Sequence, residues 1–389
     1  MHILFIITDY GSFNNFLGEM ALYMVAHHHR VSVICDSSKT IDIADKANYV
    51  EAGIAFHYVP FPRNFNIAKQ YGASRAIHRL VNQIQPDFVH IHFTTAMSTT
   101  LLAGRLAFYT LGTVHGLGYP TLSHPLKRQI FKRTEHTIIK RLDEFWVLNQ
   151  EDYNLLHAGY GKKIRQYKTA GIGCDTRTFK PVDKPVEKQA LRKAFGIAEN
   201  MVVFTFIGRF VHFKGFHLVV KAFLELIHTG AREAVLLLIG GHDALHPSGL
   251  SSGEERLIFR HPAIKQIAFT PDVASYLAIT DLMVFPSVKE GMPVSIMEAL
   301  AMHVPVLTSD TRGCNELVQD GINGYLTSAR PNVEEVREAM LRFYKLHQQH
   351  SVSFDFGRSA RSIARSDYIN EQYQVYLEIE ANLARKPIN

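Results

Sequence analysis

Along this chain short apolar runs alternate with longer stretches whose apolar positions recur at helical spacing. That alternation predicts a parallel sheet wrapped by helices. In the first half, HILFIIT (2–8), RVSVIC (30–35), DFVHIHF (87–93), TLGTVHG (110–116) and DEFWVLN (143–149) read as strands. NFLGEMALYMVAHH (15–28), GASRAIHRLVNQIQ (72–85) and STTLLAGRLAFY (98–109) read as helices, and DYGSFNNFLGEM (9–20) as a loop off the first strand. The pattern then restarts. MVVFTFIG (201–208), AVLLLIGG (234–241), IKQIAF (264–269), DLMVFPS (281–287) and VPVLTS (304–309) read as strands. FHLVVKAFLELIHTG (216–230), DVASYLAIT (272–280), PVSIMEALAM (293–302), GCNELVQ (313–319), VEEVREAMLRFYKLH (333–347) and SDYINEQYQVYLEIEANLA (366–384) read as helices.

Between the two series lies FKPVDKPVEK (179–188), whose Pro181 and Pro185 mark it as a linker. A chain of 389 residues also exceeds a typical single core. The expectation is an α/β protein of two Rossmann-like doubly wound parallel-sheet domains facing a cleft. Their bounds read as 1–180 and 181–367, with a last helix (368–389) packing back on the first domain. Open sheets of this kind bind ligands at the carboxyl ends of their strands.

Composition narrows the class. Cys35, Cys174 and Cys314 are odd in number and far apart, which fits a reducing cytoplasm better than a disulfide framework. The first residues, MHILFIITDYG, have no basic leader and read as a buried strand, and no apolar run is long enough to span a membrane. Net charge is +6, and all of the excess lies in residues 1–180, with 20 Lys/Arg against 13 Asp/Glu. Six basic residues fall in 124–143, including Lys127, Arg128, Lys132 and Arg133. Leu126, Ile130, Phe131, Ile138, Ile139 and Leu142 are spaced there as on a helix. Such a helix either lies on an anionic membrane surface or packs on the sheet with solvated lysines outward. No interleaving of aromatic and basic residues points to nucleic acid.

Candidate chemistry gathers in the second half. Gly208 and Arg209 end a strand, and Lys214 opens the next helix, so two cations and helix N-terminal amides can meet an anion. Glu290 follows the strand DLMVFPS, and Glu298 lies one or two turns into the next helix at an apolar position. Gly291 permits close backbone approach, and Pro293 suits a first helical position. The amides of Gly291, Met292 and Val294 can face an anion, while the two carboxylates accept from hydroxyls. Each residue alone is more often structural. Together they describe a site for a molecule with phosphates and many hydroxyls.

This combination resembles the family 4 glycosyltransferases of the GT-B fold, over nearly the whole chain. TVHGLGY (113–119), TAGIGCDTRTF (169–179), FIGRFVHFKG (206–215), FTPDV (269–273), EGMPVSIMEA (290–299) and RGCNELVQDGINGYL (312–326) fall in family order. The resemblance implies a retaining, metal-independent enzyme, with no cofactor beyond its nucleotide-sugar donor. Arg209 and Lys214 would neutralise the departing diphosphate, Glu290 would contact the transferred sugar, and Glu298 would hold the ribose. Gly208, Gly291, Met292, Pro293 and Val294 would border phosphate and sugar, and Phe269 and Thr270 the base. His115 would lie near the reacting carbon, with Gly11 and Gly116 on the acceptor side. Gly11 stands alone where many members carry a glycine pair, and Thr270 stands where glycine is common.

HGLGY and VLNQEDYNLL (147–156) look most like the bacterial branch that extends polyprenyl-diphosphate-linked sugars from UDP donors, often N-acetylhexosamines. That branch implies surface polysaccharide synthesis, such as lipopolysaccharide, capsule or exopolysaccharide. It also implies a cytoplasmic enzyme, peripheral on the inner face of the membrane. A soluble or protein acceptor, or a nucleotide-sugar-binding protein that does not transfer, remains the alternative. His90 and His92 share a strand face, but the sequence offers no third and fourth ligand for a metal. Neither a GxGxxG nor a Gly-x-Ser-x-Gly elbow follows directly on a strand.

Overall fold

The structure is a computed structural model describing residues 1–37, 48–62, 66–122, 124–182, 185–243, 246–357 and 361–385. It divides into two compact units, Met1–Ile172 with Ser366–Asn389, and Gly173–Arg365.

Among its described residues, the first unit has a seven-stranded sheet in the order β3-β2-β1-β4-β5-β6-β7. The strands are β1 (His2–Asp9), β2 (Arg30–Asp36), β3 (Ala55–Tyr58), β4 (Phe88–His92), β5 (Tyr109–Val114), β6 (Glu144–Val147) and β7 (Ile164–Gln166). All pairings are parallel. β1 and β4 are buried nearly end to end because helices cover both faces, which is why they read as unbroken apolar runs.

Two readings of this half need correction. The loop read over 9–20 is instead mostly helical, and the helix read from residue 15 has a separate helix ahead of it. Asp9 caps a helix over Tyr10–Phe16 by accepting from the Ser12 amide (2.9 Å), and after Leu17 a second helix spans Gly18–Ala26. The helix expected over 98–109 lies at Thr94–Leu101. Gly104, at φ +134°, stops it, and the following apolar residues lead into β5.

The last helix, Arg365–Ala384, buries Tyr368, Gln372 and Tyr376. Tyr376 packs on Phe88 (ring centroids 5.3 Å apart), and its hydroxyl meets His90 Nδ1 at 2.7 Å. Glu371 accepts from the amides of Lys168 and Thr169 (2.8 and 3.1 Å).

In the second unit the described strands run β10-β9-β8-β11-β12-β13, again parallel. They are β8 (Val202–Ile207), β9 (Ala234–Ile239), β10 (Ile264–Ile267), β11 (Leu282–Phe285), β12 (Val306–Ser309) and β13 (Gly324–Thr327). The helix Phe216–His228 turns an apolar stripe onto the sheet, with Phe216, Val219, Val220 and Phe223 fully buried. The helix expected over 313–319 is instead a series of turns. Gly313 begins it at φ +78°, a left-handed conformation that does not propagate a helix. The chain passes between the units at Ile172/Gly173, ahead of the proline-bearing stretch. That stretch ends by opening a helix, Pro185–Ala194, at which an initial proline is well placed. Residues 183 and 184 lie outside the described residues.

Candidate active site

In the second unit the strand order reverses between β8 and β11, and a parallel sheet opens a ligand site at such a switch point. Gly208 and Arg209 leave β8 there. Phe210 and Phe216 are fully buried and stacked, with centroids 4.4 Å apart. They pin both ends of the loop that carries Lys214, and Arg209 stays exposed just ahead of it. A short turn, His212–Lys214, ends at Gly215, whose φ is +75°. A Cβ on Gly215 would lie 2.4 Å from the Pro286 carbonyl oxygen, so only glycine lets this loop close on the end of β11. The Val288 amide and Ser287 hydroxyl both donate to the Phe213 carbonyl (2.9 and 3.1 Å) and tie the two loops together.

This closure brings Lys214 Nζ to 2.5 Å from Glu290 Oε1. The side chains are largely buried, at 18% and 8% exposure. Arg209, half-exposed, pairs with Asp243 beyond the end of β9 and lies over the Phe213 ring at 5.5 Å. Gly291, Met292 and Pro293 are buried beside Glu290. Pro293 is the N-cap of the helix Val294–Ala301, one residue before the first helical position, and no side chain caps the helix start. From the turn after β12, Arg312 Nε donates to the Glu290 carbonyl at 3.2 Å. Gly313, in its left-handed conformation, packs so closely that a Cβ there would lie 2.2 Å from the Gly291 carbonyl oxygen.

Glu298 lies in the same helix, largely buried. Burial pushes its carboxyl up to about 7, against the pull of the Arg365 guanidinium. Arg365 donates through Nε and Nη2 to the Gly173 carbonyl (3.2 and 3.1 Å), beside a short bridge between Cys174 and Ala364. The Cys174 thiol is pushed up to about 12, by burial first and then by the nearby Glu298. It is a core thiol with no nucleophilic character at neutral pH.

In the first unit His115 and Gly116 follow β5, and Gly11 lies in the first turn after β1. His115 Nε2 is 3.4 Å from His92 Nδ1. The His115 ring packs against Phe93 (4.2 Å) and edge-on against Phe16 (4.8 Å). Burial pulls its imidazole down to about 3, so it is neutral at physiological pH. Two buried carboxylates hold the loop beyond it. Asp152 accepts from the Leu117 amide at 3.0 Å, and Glu135 from those of Gly118 and Tyr119 at 2.8 and 3.3 Å.

Two family models match the chain. Glycosyltransferase Family 4 covers residues 14–166, and Glycosyl transferases group 1 covers residues 202–345. The chain belongs to glycosyltransferase family 4. One relative is the Escherichia coli UDP-Gal:alpha-D-GlcNAc-diphosphoundecaprenol alpha-1,3-galactosyltransferase. It is 23% identical, over 76% of this chain and 75% of its own. A second is the Campylobacter jejuni N,N'-diacetylbacillosaminyl-diphospho-undecaprenol alpha-1,3-N-acetylgalactosaminyltransferase, 24% identical over 67% of this chain and 68% of its own. Anabaena Alr3699/HepE in complex with UDP and glucose superposes with a TM-score of 0.73 at 18% identity, covering 98% of this chain and all (100%) of the other. WaaG, a glycosyltransferase involved in lipopolysaccharide biosynthesis, gives 0.71 at 15% identity, with 100% of each chain covered. These likenesses fix the GT-B fold.

Within this family 4 glycosyltransferase, Gly208, Arg209, Lys214, Glu290 and 291–294 lie on the loops that leave β8 and β11 at one switch point, with Glu298 further along the following helix near Arg365, while Phe269 and Thr270 stand at the end of edge strand β10. Phe269 is 82% exposed. The Thr270 hydroxyl accepts from the Asp272 amide at 3.1 Å. On the helix Pro125–Arg141 the outer half is exposed, including Lys127, Arg128, Lys132 and Arg133, with Leu126, Ile130 and Phe131 at 65%, 54% and 39% exposure. Only Glu135, Ile138 and Ile139 near its end are buried. Among the described residues no helix is long and apolar enough to cross a membrane, and no group of three or more His, Cys, Asp or Glu could hold a metal ion.

Asp243, Arg312 and Arg365 were not picked out by sequence. Asp243 follows Gly240–Gly241 at a strand's carboxyl end, a position that is itself a signal. Arg312 sits in a glycine-bearing turn after β12. Nothing local marks Arg365, which reaches Glu298 only through the fold.

Proposed function

We propose that this glycosyltransferase moves a hexose or N-acetylhexosamine from a UDP-sugar to a polyprenyl-diphosphate-linked saccharide in surface polysaccharide synthesis. The reading rests on one observation: two cations, two carboxylates and an uncapped helix start share the β8/β11 switch point. Both relatives named above act on diphosphoundecaprenol-linked acceptors by name, which supports the acceptor class.

In this reading Arg209 and Lys214 bind the donor diphosphate, and the first amides of the helix Val294–Ala301 share its charge. Each charge-assisted hydrogen bond is worth about 1.5–3 kcal/mol. Arg209 is paired with Asp243 and Lys214 with Glu290, so an arriving diphosphate competes with these carboxylates for the two cations. Glu290 accepts from sugar hydroxyls, and Glu298 from the ribose. His115, neutral, donates or accepts a hydrogen bond near the anomeric carbon. The bond from that carbon to the diphosphate oxygen breaks, and the acceptor hydroxyl attacks the same face. Its proton passes to the leaving diphosphate, so no second catalytic carboxylate is needed and configuration is retained. The two cations do the neutralising without a divalent ion.

The exposed half of the helix Pro125–Arg141 fits an anionic bilayer surface, with Leu126, Ile130 and Phe131 entering the interface and the flanking cations meeting headgroups. That would bring the enzyme to its lipid-linked acceptor on the cytoplasmic face.

A panel of UDP-, GDP- and ADP-sugars, read by thermal shift and by slow hydrolysis without acceptor, tests the donor. One UDP-sugar should stabilise the protein and be hydrolysed, in EDTA as well as without it. A response to GDP- or ADP-sugars alone would overturn the UDP assignment. Wild-type turnover in Lys214→Ala would overturn the site.

A further inference from the structure

His92 is expensive to keep where it is. It is fully buried on β4, and among the described residues its Nε2 has no hydrogen-bond partner. An unsatisfied buried polar group weakens the fold. The neighbouring His90 shows how the same core satisfies an imidazole. Its Nδ1 meets the Tyr376 hydroxyl and its Nε2 the Thr113 hydroxyl, both at 2.7 Å. Among the described residues the one hydrogen-bond partner of His92 is the His115 ring, at 3.4 Å from its Nδ1. The next residue is strained as well. Phe93 has φ +71°, a conformation that non-glycine residues rarely adopt, and that backbone lays its ring 4.2 Å from the His115 ring. Two successive residues thus spend stability on one loop histidine.

We propose that His92, with Phe93, is a positioning residue for His115, fixing its ring plane and its tautomer. The inference rests on the reading that His115 works beside the transferred sugar. A buried orphan N–H is rarer than an under-satisfied acceptor, so His92 carries its proton on Nδ1 and donates to His115 Nε2. His115 then holds its own proton on Nδ1, and that N–H is the group it presents. Phe93 and Phe16 close on the ring and stop it from flipping. Burial keeps both imidazoles neutral, so the tautomers persist across the physiological range.

Nitrogen-15 NMR of histidine-labelled wild-type protein tests the contact directly. The expected result is a neutral His115 protonated on Nδ1, converted to a mixture in His92→Phe. A neutral His115 protonated on Nε2 in the wild type would overturn the proposal without any activity measurement.

Turnover tests the consequence, using hydrolysis of UDP-galactose and UDP-N-acetylglucosamine without acceptor. His92→Phe keeps the ring's shape and loses both nitrogens, and His92→Asn keeps a donor near the place of Nδ1. We expect His92→Phe to lose roughly tenfold to a hundredfold in kcat with KM little changed, and His92→Asn to recover part of the loss. Wild-type kcat in His92→Phe beside an inactive His115→Ala would show that His92 only packs the core, and would sink the positioning role. Wild-type turnover in His115→Ala would instead bring down the site reading and the catalytic consequence with it, while the tautomer measurement still decides the contact.

Discussion

Lys214 Nζ and Glu290 Oε1 lie 2.5 Å apart, although they leave different strands, separated by 75 intervening residues in the chain. Two loop-to-loop hydrogen bonds and the missing Cβ of Gly215 make that approach possible. The pair therefore belongs to the architecture as well as to the proposed chemistry. Removing one partner leaves the other charge poorly solvated. We predict that Lys214→Met and Glu290→Gln each lose donor turnover and each destabilise the protein by about 1.5–3 kcal/mol. The double variant should be less destabilised than the sum, because neither charge is stranded. Urea unfolding of the four proteins checks this, and strict additivity would mean the ion pair carries no coupling.

Glu298 gives a pH dependence with a definite sign. Its folded-state value, about 7, lies above that of an ordinary carboxyl, so the native protein holds this proton more tightly than the unfolded chain. The resulting stability is complete below the ordinary carboxyl range and is lost as pH rises through about 7. Ribose hydroxyls that donate to both oxygens favour the ionised form. Affinity for UDP-glucose, which itself does not titrate in this range, should therefore rise from about pH 6 to about pH 8 with proton release. Calorimetry in buffers of different ionisation enthalpy measures that proton. Glu298→Gln should bind more weakly and without pH dependence. A wild-type affinity that is flat or falling over this range would remove Glu298 from the ribose site.

Arg209 and Asp243 set up a competition that sequence did not suggest. The guanidinium is held by a carboxylate until a diphosphate arrives. Arg209→Ala should weaken UDP-glucose binding by roughly tenfold or more, the loss of one charge-assisted contact. Asp243→Asn should bind no worse than wild type, and more tightly if the competition is strong. Titration by intrinsic fluorescence separates these outcomes. A loss in Asp243→Asn as large as that in Arg209→Ala would show that Asp243 aligns the arginine and does not compete for it.

The exposed half of the helix Pro125–Arg141 predicts salt-sensitive membrane binding. Each cation near an anionic surface contributes about 1 kcal/mol. Replacing Lys127, Arg128, Lys132 and Arg133 by Gln should weaken sedimentation with phosphatidylglycerol vesicles by roughly two to three orders of magnitude. Replacing Leu126, Ile130 and Phe131 by Ser should weaken it even at high salt, since that part is apolar. Binding that is unchanged in both variants would leave this helix as solvated surface.

The amino-acid sequence by itself determined the two α/β series, most strands and the long helices. These follow from periodicity, and burial on both faces of a parallel sheet leaves a plain apolar signature. It also singled out Arg209, Lys214, Glu290 and Glu298 as candidates, because strand ends and helix starts are local features. It misjudged 9–20, 98–109 and 313–319, where Asp9, Gly104 and Gly313 act through a cap or a backbone angle that the apolar pattern does not report. Only the tertiary structure decided that Lys214 is paired with Glu290 and Arg209 with Asp243. It alone placed Arg365 near Glu298 and left His92, among the described residues, with no hydrogen-bond partner but His115. Each of those relationships joins groups from different strands or loops. Its geometry depends on how closely backbones approach and on which side chains are withdrawn from water, and neither is written in any one segment of the chain.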